Sequence, residues 1–173
     1  MSALVPSAAP GPLAAASRDG DAELHGVFRV AGAEYALPVA TVVQMESFTS
    51  ATAVPGGASY LVGIMPVRGR VVPVVDLRVR FGLPAAPPTL DSRVVVGQQG
   101  DRMVALLADS AREVLRIAPG ALSAPPSLLT EGGAAFVQAI AQIDKRVILV
   151  LDFARVIGGD VVPTTRQEST DAA

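Results

Sequence analysis

The sequence contains no cysteine, no tryptophan and a single histidine, His25. Without cysteine it can form neither a disulfide nor a cysteine-ligated zinc site. One imidazole and no thiol also leave nothing for the Cys–His or Ser–His–Asp arrangements of nucleophilic catalysis. We expect His25 to be solvated, because it lies close to the N-terminal segment of the chain.

Nucleotide, metal and membrane signals are missing as well. Neither G-x-x-x-x-G-K-[ST] nor G-x-G-x-x-G occurs, and the acidic residues are not grouped as in a calcium loop. A net charge of −2 and a pI near 5.3 argue against a nucleic-acid partner. No uncharged apolar stretch is long enough to cross a membrane. We therefore expect no enzymatic activity, no cofactor and no metal.

What the sequence does contain is short, valine-rich apolar runs separated by glycine and proline turns. Many short runs at close spacing predict an all-β fold, and no long amphipathic helix is evident. We expect disordered tails at residues 1–22 and 159–173, and a folded domain between them over residues 23–158.

The folded part repeats itself. Residues 60–82 align without a gap on residues 136–158, at an offset of 76, and residues 35–45 align more weakly on 104–114, at an offset of 69. A duplicated unit of strands and a hairpin predicts two similar small β-barrels, intertwined subdomains at approximately 23–90 and 91–158.

The repeat separates shared positions from unshared ones. Asp76 and Asp152 occupy the same place in both copies, after a strand and before a short apolar segment. Each is predicted to cap a helical turn, the alternative being a catalytic carboxylate pair. Gly63 and Gly69 are predicted structural turn residues.

Arg68 is not shared, because Asp144 stands at its position in the second copy. The repeated barrel therefore does not require an arginine there. The spacing leaves two alternatives open for Arg68, a function specific to the first copy or a solvated surface charge. A different class of function, an enzyme or small-ligand binder, would need a polar cluster in the groove between the barrels, for example around Asp109 and Glu113.

Two long stretches resemble the CheW-type chemotaxis coupling domain. They are "FRVAGAEYALPVATVVQM" with "VPGGASYLVGIMPVRGRVVPVVDLRVRFG" in the first copy, and "VALLADSAREVLRI" with "FVQAIAQIDKRVILVLDFARVI" in the second. The resemblance implies two five-stranded SH3-like barrels with short helical turns. It also implies a cytoplasmic, non-enzymatic adaptor that links methyl-accepting chemoreceptors to the regulatory domain of a CheA-type histidine kinase in membrane-associated arrays.

The resemblance also assigns contact residues. The family's receptor-contacting positions fall on Val42, Gln44, Arg68 and Val114. On the kinase side it suggests the strand around Arg93 and Val94, and a long second-copy loop that includes Ser123 and Leu128.

Two residues depart from the family pattern. Pro66 stands where an asparagine is usual, and Gln44 stands where an acidic residue is frequent. Both fall on the implied receptor face, so receptor choice is expected to differ from that of a standard motility system. The alternative function is that of a paralogue serving type IV pilus motility or a second-messenger pathway.

Overall fold

The computed structural model describes residues 21–127 and 135–158, so the predicted tails lie almost entirely outside the described residues. Within those ranges the chain is dominated by strands, with two helices of about one turn and a 3-10 turn at Pro119–Ala121. The helices are α1 (Leu77–Arg80) and α2 (Phe153–Ile157). The strands are β1 (Glu23–Val30), β2 (Ala33–Pro38), β3 (Val42–Ser47), β4 (Leu61–Val67), β5 (Arg70–Asp76), β6 (Arg93–Gln99), β7 (Arg102–Ala108), β8 (Ser110–Ile117), β9 (Leu122–Ser123), β10 (Val137–Ile143) and β11 (Arg146–Leu151).

The strands form two sheets. The first sheet has the order β8-β1-β2-β11-β10-β9 and the second has the order β3-β6-β7-β5-β4. The predicted all-β fold of two SH3-like, five-stranded units with short helical turns is confirmed, and the two-residue β9 is an addition to the first sheet. Each sheet takes strands from both sides of residue 90, so a division at that point does not separate the two sheets.

The sequence repeat explains this mixing. β1, β2 and β3 correspond to β6, β7 and β8 at an offset of 69, while β4, β5 and α1 correspond to β10, β11 and α2 at an offset of 76. Exchanging the copies converts the order β3-β6-β7-β5-β4 into β8-β1-β2-β11-β10, which is the first sheet without β9. Each sheet therefore joins the first two strands of one copy to the last three of the other.

The main hydrophobic core lies where the two sheets meet. It includes Phe28 and Leu37 from the first sheet, Leu106 from the second, and Leu77 and Phe153 from the two helices. Two smaller apolar clusters lie within the individual sheets. Since a fully buried leucine or phenylalanine contributes about 1.5–3 kcal/mol, this shared core ties the sheets into one unit.

The aspartates predicted as caps occupy the N-cap positions of the two helices. Asp76 Oδ1 accepts a hydrogen bond from the Arg78 amide at 2.9 Å, and Asp152 Oδ1 accepts one from the Arg155 amide at 3.2 Å. In this role each carboxylate satisfies a backbone donor at a helix start.

The expectation for His25 was wrong. His25 is only 2% exposed, and it lies on a strand that pairs with β2 on one side and with β8 on the other. Its Nδ1 lies 3.1 Å from the Glu23 carbonyl oxygen. The strand begins before His25, so proximity to the chain terminus did not indicate exposure.

An ion pair joins the two sheets on one side of the molecule. Asp109 connects β7 of the second sheet to β8 of the first. The Arg78 guanidinium on α1 donates to both of its carboxylate oxygens, at 2.9 and 2.7 Å, and the Ala31 amide in the β1–β2 turn also donates at 2.8 Å. We call this arrangement the Arg78–Asp109 clasp. Its hydrogen bonds hold the pKa of Asp109 below the ordinary value.

The clasp predicts a pH-dependent loss of stability. Because the pKa of Asp109 is lower in the folded chain than its ordinary 3.8, its contribution is complete above that value and disappears as the pH falls through the folded-state pKa. The Asp109 side chain is 36% exposed, which keeps the contribution to about 1 kcal/mol. Asp109→Asn should lower the free energy of unfolding by this amount at pH 7 and leave it unchanged near pH 2, as measured by urea denaturation.

The comparison with wild type at each pH cancels titrating groups that do not interact with Asp109. Asp76 does interact: desolvation raises its pKa and the charge of Asp109 raises it further, so the Asp109→Asn effect includes a contribution through Asp76. An equal loss at both pH values would show that the carboxylate charge is not what stabilises the junction.

Candidate partner-binding surface

Arg68 lies at the tip of the β4–β5 hairpin. Its φ is 50° and that of Gly69 is 75°, which are the positive values that a type I′ turn requires at both central residues. Asp144, its counterpart in the β10–β11 hairpin, has a φ of 54°. The left-handed backbone therefore belongs to the repeated turn, whereas the arginine side chain is specific to the first copy.

The Arg68 side chain reaches from β4–β5 to the opposite edge of the second sheet. Its Nε donates to Gln44 Oε1 at 2.8 Å, and its Nη2 lies 3.4 Å from the Val43 carbonyl oxygen. Gln44 Nε2 in turn donates to Glu46 Oε2 at 2.8 Å. These contacts orient an exposed guanidinium, and they engage only two of its five N–H donors.

The two predicted valines are related through Gly26 on β1. Val114 on β8 is 56% exposed and pairs in register with Gly26 on β1. A Cβ atom at Gly26 would collide with Met45 and lie 4.0 Å from Val42 Cγ2. Since directly opposed residues of antiparallel strands share a face, Val114 lies on the side of the sheet where Val42 packs.

The structure thus relates the four residues predicted as receptor contacts in two pairs: Arg68 with Gln44, and Val42 with Val114 through Gly26. We call these four residues together the Arg68 surface. The sequence reasoning missed Gly26 and Glu46. A glycine inside a strand is a signal of close backbone approach, and it would have marked Gly26.

The residues suggested for the kinase side are not brought together. Val94 is completely buried in the core of the second sheet, so its side chain cannot form a contact surface in the folded chain. Arg93 is half-buried and donates to carbonyl groups of the preceding loop. Ser123 is exposed on β9, at the edge of the first sheet. Leu128 lies outside the described residues.

The polar cluster considered for an enzyme or small-ligand site is divided between two ion pairs. Asp109 pairs with Arg78. Arg146 pairs with Glu113 at 2.6 Å and also with Glu34. Among the residues that the structure describes, no group of three His, Asp or Glu side chains could hold a metal ion. Over the same residues, no helix has the length and hydrophobicity to cross a membrane.

Two sheets made by strand exchange between repeated copies, with a surface crossing their junction, define a duplicated β-sheet scaffold. The family model of the CheW-like domain matches residues 25–160. The chain belongs to the CheW-like domain family.

Named relatives agree with this assignment. The chain is 31% identical over 133 residues to the probable chemotaxis protein CheW of Rhizobium etli, covering 77% of this chain and 85% of that protein. It is 30% identical over 126 residues to the chemotaxis protein CheW of Bacillus subtilis, covering 73% and 81%. The scaffolding protein TtCheW of Thermoanaerobacter tengcongensis superposes with a TM-score of 0.75 at 26% identity, covering 83% of this chain and 99% of that one.

Proposed function

We propose that this chain is a non-enzymatic adaptor that couples methyl-accepting chemoreceptors to a CheA-type histidine kinase. In this role it acts in the cytoplasm, at membrane-associated receptor arrays. Membership of the CheW-like family supports the adaptor class. The Arg68 surface is the observation that supports the receptor contact, since Arg68 binds Gln44 from a distant hairpin and Val42 and Val114 of different sheets both neighbour Gly26.

The chemistry of the Arg68 surface suits a helical partner. Val42 and Val114 provide apolar contact across the junction, and the Arg68–Gln44 pair provides oriented donors and acceptors beside it. An amphipathic helix laid in such a groove buries its apolar stripe and pairs polar groups at the rim. The cytoplasmic tip of a chemoreceptor presents helices of this kind in our proposal.

Binding measurements with the full chain test the proposal directly. We expect saturable binding to a cognate receptor-tip fragment and, separately, to the regulatory domain of the kinase, with both present in one complex when all three are mixed. Calorimetry and analytical size-exclusion chromatography provide the readouts. Failure to bind either protein would overturn the proposed function.

Pro66 and Gln44 favour a second candidate, a paralogue serving type IV pilus motility or a second-messenger output. Gln44 is neutral and both accepts from Arg68 and donates to Glu46, which a carboxylate could not do. Pro66 is exposed on the edge strand β4 and lacks an N–H donor. The two candidates are separated by titrating the wild type and Gln44→Glu against receptor tips from different pathways. A paralogue of the second kind should bind a non-flagellar receptor more tightly than a flagellar one.

A further inference from the structure

A polar cleft of about 180 Å³ opens beside the second short helix, α2. It is lined by Gln98, Gln99 and Gln138, by Thr41, Asp152 and Ala154, and by the apolar residues Pro38, Leu151 and Phe153. We call it the glutamine cleft. It lies between strands of the two sheets, because Gln98 belongs to β6 and Gln138 to β10.

The internal repeat relates the glutamine cleft to the Arg78–Asp109 clasp. At an offset of 76 Arg78 corresponds to Ala154, and at an offset of 69 Asp109 corresponds to Ala40. Ala154 lines the cleft, and Ala40 directly precedes Thr41, which also lines it. Two alanine methyl groups thus stand where the other junction has a guanidinium and a carboxylate.

The backbone around the two sites matches. The Asp76 amide donates to the Tyr60 carbonyl at 2.7 Å, and the Asp152 amide donates to the Phe136 carbonyl at 2.8 Å. Asp76 and Asp152 both cap the adjoining helix. The glutamine cleft therefore lies at the equivalent junction of the second copy, where the short side chain of Ala154 does not reach across it.

We infer that the glutamine cleft is a docking pocket for an arginine side chain of a partner protein. In the first copy a guanidinium carried by the chain's own Arg78 fills this position and lies near the Asp76 carboxylate. The second copy retains the equivalent carboxylate, Asp152, and three glutamines and a threonine, side chains able to accept from a guanidinium, line the cleft. Gln98 Nε2 donates to the Gly100 carbonyl at 2.9 Å.

The carboxylate of Asp152 remains available to a second cation. Its nearest charge is Arg155, whose Nε lies 3.5 Å from Asp152 Oδ2 and whose side chain is 60% exposed. Such an exposed pair contributes little and rearranges readily. The pocket is distinct from the contacts of Arg68, which lie with Val43 and Gln44 on the outer edge of β3.

A titration followed by nuclear magnetic resonance tests the pocket on the full chain. The probe is Nα-acetyl-L-arginine methylamide, and the matched control is the citrulline analogue, which has nearly the same shape without the charge. We expect saturable shifts of the side-chain amides of Gln98, Gln99 and Gln138. The citrulline analogue should bind about tenfold more weakly or worse, because it loses one charge-assisted hydrogen bond.

Variants of the pocket complete the test. The double variant Ala40→Asp/Ala154→Arg recreates the clasp within the cleft and should abolish the shifts, while Asp152→Asn keeps a capping side chain and should weaken them. Should the double variant fail to fold, Ala154→Leu blocks the cleft by itself. Arg68→Glu should leave probe binding unchanged, so the pocket is tested independently of the proposed receptor contact.

Three outcomes would overturn the inference. These are the absence of shifts at the cleft, equal binding of the arginine and citrulline probes, and tighter binding of free L-arginine than of the blocked probe. The last result would identify a metabolite site in place of a protein contact.

Discussion

Arg68→Glu is expected to weaken binding of a receptor tip by about ten- to hundredfold, because it replaces a positively charged hydrogen-bond donor with a negatively charged acceptor. The free energy of unfolding should change by less than about 1 kcal/mol, since the Arg68 side chain is exposed and its contacts are surface hydrogen bonds. Calorimetric titration and urea denaturation of the same preparation measure the two quantities.

The repeat supplies the control for this prediction. Arg68→Gly and Asp144→Gly remove side chains from equivalent left-handed turn positions, with φ values of 50° and 54°. Glycine relieves about 1–2 kcal/mol of backbone strain in each case, so both variants should be at least as stable as the wild type. Only Arg68→Gly should lose receptor binding. An equal loss of receptor binding in Asp144→Gly, or unfolding of Arg68→Glu, would assign Arg68 a structural role.

The features predicted well from sequence are local ones. The turn at Arg68–Gly69 and the caps at Asp76 and Asp152 depend on residues within a few positions of one another. The repeat supplied further information, because it aligned residues 61–67 with the clearer strand at 137–143. Gly63 and Pro66 obscure the strand character of the first segment when it is considered alone.

The features that sequence did not provide depend on pairing between distant segments. Each copy contributes β1–β2 or β6–β7 to the other copy's sheet, and hydrophobic pattern alone does not distinguish pairing within a copy from pairing across copies. Val94 illustrates the limit. It belongs to an unbroken valine run that is buried throughout, and such a run lacks the alternation that would separate inward from outward side chains.

The strand exchange also explains why the Arg68 surface could be assembled only from the structure. In the sequence repeat, Val42 does not correspond to Val114, and neither valine corresponds to Arg68. The two valines lie on edge strands of different sheets. The exchange brings β1 of the first sheet against β3 of the second, where the missing side chain of Gly26 admits Met45. The resemblance named the residues, and the fold explains why Val42 and Val114, from different sheets, both neighbour Gly26.

Gly63→Ala is expected to lower the free energy of unfolding by about 1–3 kcal/mol, as overpacking does in well-filled sites. A Cβ atom at Gly63 would collide with the Thr52 carbonyl oxygen. That carbonyl accepts from the Ile64 amide at 2.8 Å, and the Thr52 amide donates back to Ile64 at the same distance. The substitution therefore strains or breaks the two-bond bridge along the outer edge of β4. Urea denaturation measures the loss.

Ala139 is the matched position, because it corresponds to Gly63 in the repeat and follows the same irregularity in strand pairing. Ala139→Gly should cost only about 0.5–1 kcal/mol through the greater freedom of the unfolded chain. Gly63 also has a φ of 156°, a conformation that residues with a side chain rarely adopt, so the backbone strain of alanine adds to the collision with Thr52. A Gly63→Ala variant as stable as the wild type would show that neither the backbone conformation nor the close approach of Thr52 requires glycine here, and the difference between the copies would then be incidental.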